Sequence, residues 1–168
     1  VRNCPVKAIS VENGEANVLD EFCVNCGTCV RGCNQKAKQV VSQVDAIMEK
    51  LAARDREVVA LIAPSFPASF FDVQPKQVVA AFKKAGFQRV VEVAYGAELV
   101  AREAKRLLLD PHVKKPLISS PCPVVVSLIE MHFPEIMPHL MPVVSPLLAT
   151  GRYLESEEKE KSIKVFIG

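Results

Sequence analysis

Four cysteines fall within eleven residues, in the order Cys23-x2-Cys26-x2-Cys29-x3-Cys33, and a fifth, Cys4, precedes them. Neighbours three apart on a short loop are poorly placed to bridge one another but well placed to converge on one metal centre. An iron–sulfur cubane needs thiolates that approach a compact multi-iron core from several directions. A tight C-x2-C-x2-C loop delivers three of them, and a distant fourth closes the site. Cys23, Cys26 and Cys29 are therefore expected to share one such site, with a fourth cysteine, Cys4 or Cys33, to complete it. Gly27, next to Cys26, lets the backbone approach closely enough for peptide N–H groups to bond to sulfur. The competing readings are free thiols and structural zinc, which usually takes two C-x2-C pairs separated by a longer loop. The sixth cysteine, Cys122, stands alone and by itself reads as a buried, inert thiol.

The elements that must position these residues follow from periodicity. Residues 1–42 are loop-rich. Asn13-Gly14 between apolar residues predicts a small hairpin over Val11 to Val18. Val44, Ile47, Met48 and Leu51 recur at helical spacing and predict a connector helix within 43–56. From residue 57 the pattern changes. Val58 to Ile62 is an unbroken apolar run, as a strand buried on both faces requires. Pro75 opens a helix that closes at Gly86. A strand at 89–93, a helix at 97–109, a strand at Leu117 to Ser119, a helix at 123–132, a helix at 146–158 and a strand at Ile163 to Ile167 complete the alternation. The expected fold class is α/β: a small iron–sulfur module followed by a mainly parallel sheet domain over 57–168. The charged run Glu155 to Lys161 reads as a solvated helix end. His112, His132 and His139 match no metal spacing and read as surface or helix-end histidines.

Composition narrows the function. The chain has 168 residues, 49% of them hydrophobic, with no Trp, two Tyr and a net charge of +2. Such near-balance gives no footing for nucleic acid or an anionic membrane surface. No stretch approaches the roughly 18–20 apolar residues of a membrane span. The N-terminus carries neither a Met nor a signal-peptide apolar region, so a cytoplasmic protein is expected.

The run Cys23 to Cys33 resembles that of bacterial 4Fe–4S ferredoxins, with Asn34 where a proline usually follows. Cys4-Pro5 resembles the end of an earlier run whose other cysteines would precede Val1. In two-cluster ferredoxins the fourth cysteine of each run ligates the other cluster. The resemblance thus implies one 4Fe–4S site at Cys4, Cys23, Cys26 and Cys29, and leaves Cys33 to a second cluster that is incomplete here. Further on, Ala63-Pro64-Ser65, Gly86-Phe87 with Val90, Gly96-Ala97-Glu98, Ser119 to Pro123, Phe133-Pro134-Glu135 and Ser145-Pro146 follow one another in a way that resembles the catalytic domain in the large subunits of iron-only hydrogenases. A ferredoxin-like module ahead of that domain is also that family's layout.

In that family a Thr-Ser-Cys-Cys-Pro-Gly-Trp motif supplies a ligand to the active-site cubane. Here the segment is Ser119-Ser120-Pro121-Cys122-Pro123-Val124, and Cys122 matches the ligand. Pro121 stands where the family has a proton-transferring cysteine, Met141 where it has a serine. Ala104 and Leu107 stand at the two glutamates of its proton relay, with Glu103 one step away. A relay needs titratable or hydroxylic groups within hydrogen-bond reach. The chain ends where the family's next Pro-Cys motif begins, so it is expected to be a piece of a longer protein, truncated at both ends. The resemblance implies an iron–sulfur electron-transfer protein, hydrogenase-like, that relays electrons to or from a hydrogenase-type domain without efficient hydrogen turnover. Its partner would be a redox protein or further domains of the same parent. The two alternatives are an active iron-only hydrogenase (an oxidoreductase) in the full-length parent and a structural zinc protein. The segment Ala63 to Phe71 follows a strand's C-terminal end, where α/β sheets form sites. Its apolar side chains suit either a cluster pocket or ordinary packing.

Overall fold

The structure, a computed structural model, describes residues 2–158 and 160–168; Val1 and Lys159 lie outside the described residues. In chain order the elements are β1 (Ile9–Glu12), β2 (Glu15–Val18), α1 (Thr28–Arg31), α2 (Val44–Ala53), β3 (Val58–Ile62), α3 (Phe66–Ser69) and α4 (Pro75–Ala85). β4 (Arg89–Glu92), α5 (Ala94–Leu109), α6 (Pro123–His132), a 3-10 turn (Pro134–His139), α7 (Pro146–Glu157) and β5 (Ile163–Ile167) follow. Two compact units result: Val1–Val41 with Pro111–Pro142, and Ser42–Asp110 with Val143–Gly168. The α/β class with a parallel sheet is as expected.

In the first unit, Asn13 and Gly14 both take positive φ (52° and 83°). This is what a two-residue hairpin turn demands, and it pairs Ile9 with Val18 and Glu12 with Glu15 in β1 and β2. The strand expected at Leu117 to Ser119 does not form. Only Ile118 makes a bridge, to Leu140, through Ile118 N–H to His139 O (2.7 Å) and Met141 N–H to Ile118 O (2.8 Å). Pro116, Pro121, Pro138 and Pro142 crowd both sides of the bridge, and prolines have no N–H to extend a ladder.

The second unit is built around β3, which lies between β4 and β5 in an all-parallel sheet. All five of its residues are buried. Because side chains alternate across a strand, Val58 and Ala60 pack with Leu51, Phe87 and Val165 on one face. Val59 and Leu61 pack with Val93 and Leu154 on the other. Leu51 comes from α2, so the helix expected as a connector packs against this sheet. Pro75 opens α4, a Gln74–Gln77 capping box satisfies its first turn, and Gly86 closes it at φ 115°. The αL closure is the usual glycine stop. On the other face α5 and α7 cross at Gly96. A Cβ there would stand 2.1 Å from Pro146 O and 2.3 Å from Thr150 Oγ1, and Thr150, fully buried, donates to Pro146 O at 2.9 Å.

At the N-terminal ends of the three strands an ion cluster replaces apolar packing. Arg89 grips Glu57 with two bonds (Nε–Oε1 2.7 Å, Nη2–Oε2 3.0 Å) and also donates to Glu158. Glu158 further accepts from Lys164 Nζ at 2.9 Å and from the Ser162 hydroxyl and N–H. The charged run at 155–161 is therefore not all solvated. The Glu158 side chain is 8% exposed and ties the end of α7 to the starts of β3, β4 and β5. Burial pushes its carboxyl up, but the bonds from Lys164, Ser162 and Arg89 outweigh burial and hold it down at about 2, against an ordinary 4.5.

Two outcomes are expected. Gly96→Ala forces α5 and α7 apart and costs about 3 kcal/mol in a denaturant titration. Gly151→Ala, in α7 with nothing within 4 Å of the new Cβ, gains about 0.5–1 kcal/mol instead. Equal midpoints for the two variants would contradict the close helix contact. A carboxyl lowered on folding contributes stability that is fully present above its ordinary value and is lost as pH falls towards its folded value. Glu158 should thus add on the order of 2 kcal/mol at neutral pH that fades between about pH 5 and 2. Glu158→Gln flattens that part of the stability–pH curve. An unchanged slope in the variant would count against the cluster.

Candidate metal centre

The cysteine loop is assembled by short-range backbone bonds in the first unit. Leu19 N–H bonds to Ala8 O (3.0 Å), Phe22 N–H to Leu19 O (3.1 Å) and Cys23 N–H to Asp20 O (3.3 Å). These bring the chain after β2 back beside the Cys4 turn. Gly27, at φ 71°, caps α1, whose single turn carries Cys29. Its carbonyl accepts from Val30 and Arg31, both at 3.1 Å.

Cys4, Cys23, Cys26 and Cys29 all line one cavity, whose remaining walls include Ile9, Val18 and Val24. The lining is almost wholly apolar apart from sulfur. The cavity measures about 20 Å³, room for about one water, so its walls must part to admit a multi-iron core. Among the described residues no three His, Cys, Asp or Glu side chains gather closely enough to hold a single metal ion. What fits an iron–sulfur group is the donor set: four free thiols lining one apolar pocket, with the Ala8 N–H turned onto the Cys4 sulfur. Cys33 does not line this cavity. It borders a larger one of about 400 Å³, together with Cys4, Cys29 and Lys38.

Cys4 and Cys33 sit in the same turn, made twice. Ala8 N–H donates to Cys4 Sγ at 3.2 Å and Ala37 N–H to Cys33 Sγ at 3.3 Å. In each the residue before the alanine is a lysine at positive φ, Lys7 (58°) and Lys36 (52°). That conformation costs a lysine roughly 1–2 kcal/mol, and it turns the next N–H towards the sulfur. An N–H bond to sulfur favours the thiolate, the ligand form. The Ala37 N–H holds the Cys33 thiol below its ordinary value. At Cys26 the hydroxyl of Thr28, 3.3 Å from Sγ, is the first cause of a similar lowering.

Cys122 lies immediately before Pro123, the first residue of α6, and is exposed; the buried-thiol reading of it fails. Ser120, buried, donates its hydroxyl to Met141 O at 2.7 Å. Met141 and Leu107 are buried and carry no transferable proton. Glu103 is claimed by Arg106 through Oε1 (2.6 and 3.0 Å) and Oε2 (3.0 Å), which holds its carboxyl below the usual carboxylate range. Of the histidines, His139 Nδ1 lies 2.8 Å from Pro116 O and His132 Nε2 lies 3.1 Å from Phe22 O. Phe71 in the 63–71 segment is exposed.

Thr28, the paired Lys-Ala turns and the His132 contact were not anticipated from sequence. The Cys-x2-Lys-Ala spacing shared by residues 4–8 and 33–37 was the available signal for the turns. The other two contacts had none.

The sequence matches the family described as iron only hydrogenase large subunit, C-terminal domain, over residues 56–168. The NADP-reducing hydrogenase subunit HndD of Solidesulfovibrio fructosivorans is 30% identical over 140 residues, which cover 73% of this chain and 24% of that protein. A solved FeFe-hydrogenase structure, HydA(deltaEFG), described for stepwise H-cluster assembly, superposes with a TM-score of 0.61 at 25% identity. It covers 75% of this chain and 37% of that one. A HydA1 FeFe-hydrogenase of Chlamydomonas reinhardtii shares the fold with a TM-score of 0.62 at 24% identity, over the same shares of each chain. The chain thus spans about a quarter of the curated relative and well under half of the solved chains. By its match over residues 56–168, the chain belongs to the family of C-terminal domains of iron-only hydrogenase large subunits.

Proposed function

We propose that this chain is the electron-relay part of a hydrogenase-like protein, holding one 4Fe–4S cluster on Cys4, Cys23, Cys26 and Cys29. The observation that carries the reading is that these four thiols, from two separate stretches of sequence, line one apolar cavity. When bound, such a cluster supplies one-electron transfer at a potential set by burial and by hydrogen bonds to sulfur. The chain's own residues do the rest. Ala8 N–H donates to the Cys4 sulfur, and the Thr28 hydroxyl beside Cys26 lowers that thiol from its ordinary value. Ile9, Val18 and Val24 give the sulfurs apolar walls.

Residues 1–42 act as a ferredoxin-type module, 43–56 as the connector and 57–168 as part of the hydrogenase-type domain. Cys33, in the second copy of the Cys4 turn, serves a second cluster that needs cysteines from outside this chain. Cys122, exposed before α6, serves as a ligand of the active-site cubane in the longer protein. Electrons pass to a redox partner or to further domains of the same parent, in the cytoplasm, where thiols stay reduced.

The longer protein turns hydrogen over slowly. Pro121, Met141 and Leu107 each lack a transferable proton, and Glu103 is paired with Arg106. The likeness to a subunit of an NADP-reducing hydrogenase favours a second reading, an active hydrogenase with a different proton route. Hydrogen evolution by the matured full-length protein, at a rate typical of the family, would select the second reading.

Anaerobic reconstitution of the chain with iron and sulfide should give about four irons per chain, the content of one cubane. Cys23→Ser and Cys29→Ser should lose most of that iron, and Cys33→Ser should keep it. About eight irons per chain, or a colourless preparation holding zinc alone, would sink the one-cluster assignment.

A further inference from the structure

His132 closes α6, 110 residues from the cysteine loop in sequence, yet its Nε2 reaches Phe22 O at 3.1 Å. A carbonyl oxygen can only accept, so Nε2 carries the hydrogen and the ring donates. Phe22 O belongs to the peptide that joins Phe22 to Cys23. The N–H of the same peptide, that of Cys23, donates to Asp20 O at 3.3 Å. The plane of this one peptide is thus held from both sides, by His132 at its oxygen and by Asp20 at its nitrogen. With that plane fixed, the N–Cα bond of Cys23 has a set direction, and rotation about it is the backbone freedom left to aim Cβ. Cys23 has weak side-chain support of its own: its Sγ lies 3.8 Å from Asn25 Oδ1. By contrast Cys4 receives a backbone N–H at 3.2 Å and Cys26 has Thr28 at 3.3 Å. Among these thiols Cys23 is the one whose direction depends on a remote residue.

We infer that His132 is a positioning residue for Cys23, a donor on α6 that fixes the peptide from which this ligand springs. The inference rests on Cys23 being a cluster ligand. It also makes α6, which begins just after Cys122, a rigid strut about 15 Å long between that cysteine and the Cys23 loop. A side chain held by hydrogen-bonded supports binds its metal in one geometry, and removing such a support perturbs the electronic structure of the centre.

The experiment compares the unmodified chain with His132→Leu, which cannot donate, and His132→Gln, whose amide nitrogen reaches the place of Nε2. In the chain as purified, before iron is added, amide exchange at Cys23 should quicken about fivefold in H132L, as loss of one net hydrogen bond allows. It should stay near the unmodified rate in H132Q. The Ile118 amide, bonded to His139 O, should not change and reports on global opening. After anaerobic reconstitution, H132L should hold as much iron as the unmodified chain but show shifted g-values and a shifted midpoint potential, both restored in H132Q. Unchanged exchange in H132L overturns the tether. Unchanged spectra and potential in a fully loaded H132L overturn the positioning role. Failure of the unmodified chain to take up iron defeats the cluster reading, while the exchange rates still decide whether His132 holds the Cys23 peptide.

Discussion

Val58 to Ile62 has no face turned to solvent, and the placement of every other element in its unit follows from that. A strand buried on both sides needs a cover on each, and alternation sends Val58 and Ala60 one way and Val59 and Leu61 the other. One layer is α2 with α4, where Leu51, Phe82 and Phe87 fill the space; the two rings meet edge to face at 5.9 Å. The other layer is α5 with α7, which approach closely because Gly96 has no side chain to keep Pro146 and Thr150 away. A parallel sheet cannot be stitched by tight hairpins, so its strand ends are held by other means. Here Glu158 gathers Arg89, Lys164 and Ser162 at the strand starts.

The cysteine-rich unit is organised by a different rule. Its first segment, up to Val41, has little regular structure, and the backbone there is shaped by residues in the left-handed region: Lys7, Asn13, Gly14, Asn25, Gly27 and Lys36. Three of these are the hairpin and helix-cap positions where Asn and Gly are at ease. The two lysines are not. Their strain is tolerated because each turn aims an alanine N–H at a cysteine sulfur. The same turn recurs at Cys4 and Cys33, although of the two only Cys4 lines the cavity that holds all three of Cys23, Cys26 and Cys29.

Much of the fold was legible because its signals are local. The unbroken apolar run of β3, Pro75 and Gly86 at the ends of α4, Asn13-Gly14 in the hairpin and Pro123 opening α6 each state their own conformation. The strand expected at Leu117 to Ser119 was misread because the run is apolar but flanked by prolines, and a ladder depends on donors that prolines lack. Glu158 was read as solvated because a charged neighbourhood in sequence says nothing of which member folds inward onto Arg89 and Lys164.

For the proposed site, the sequence by itself supplied the candidate thiols: Cys23, Cys26 and Cys29 at cluster spacing, with Cys4 as the proposed fourth. Spacing along a chain controls which side chains can converge over a few residues. Only the tertiary structure showed that Cys4 lines one cavity with all three of them while Cys33 lies outside it, and that Cys122 is exposed. It alone placed His132 on the peptide of Cys23. Those choices depend on hydrogen bonds between segments far apart in sequence, whose partners no local pattern of residues can name.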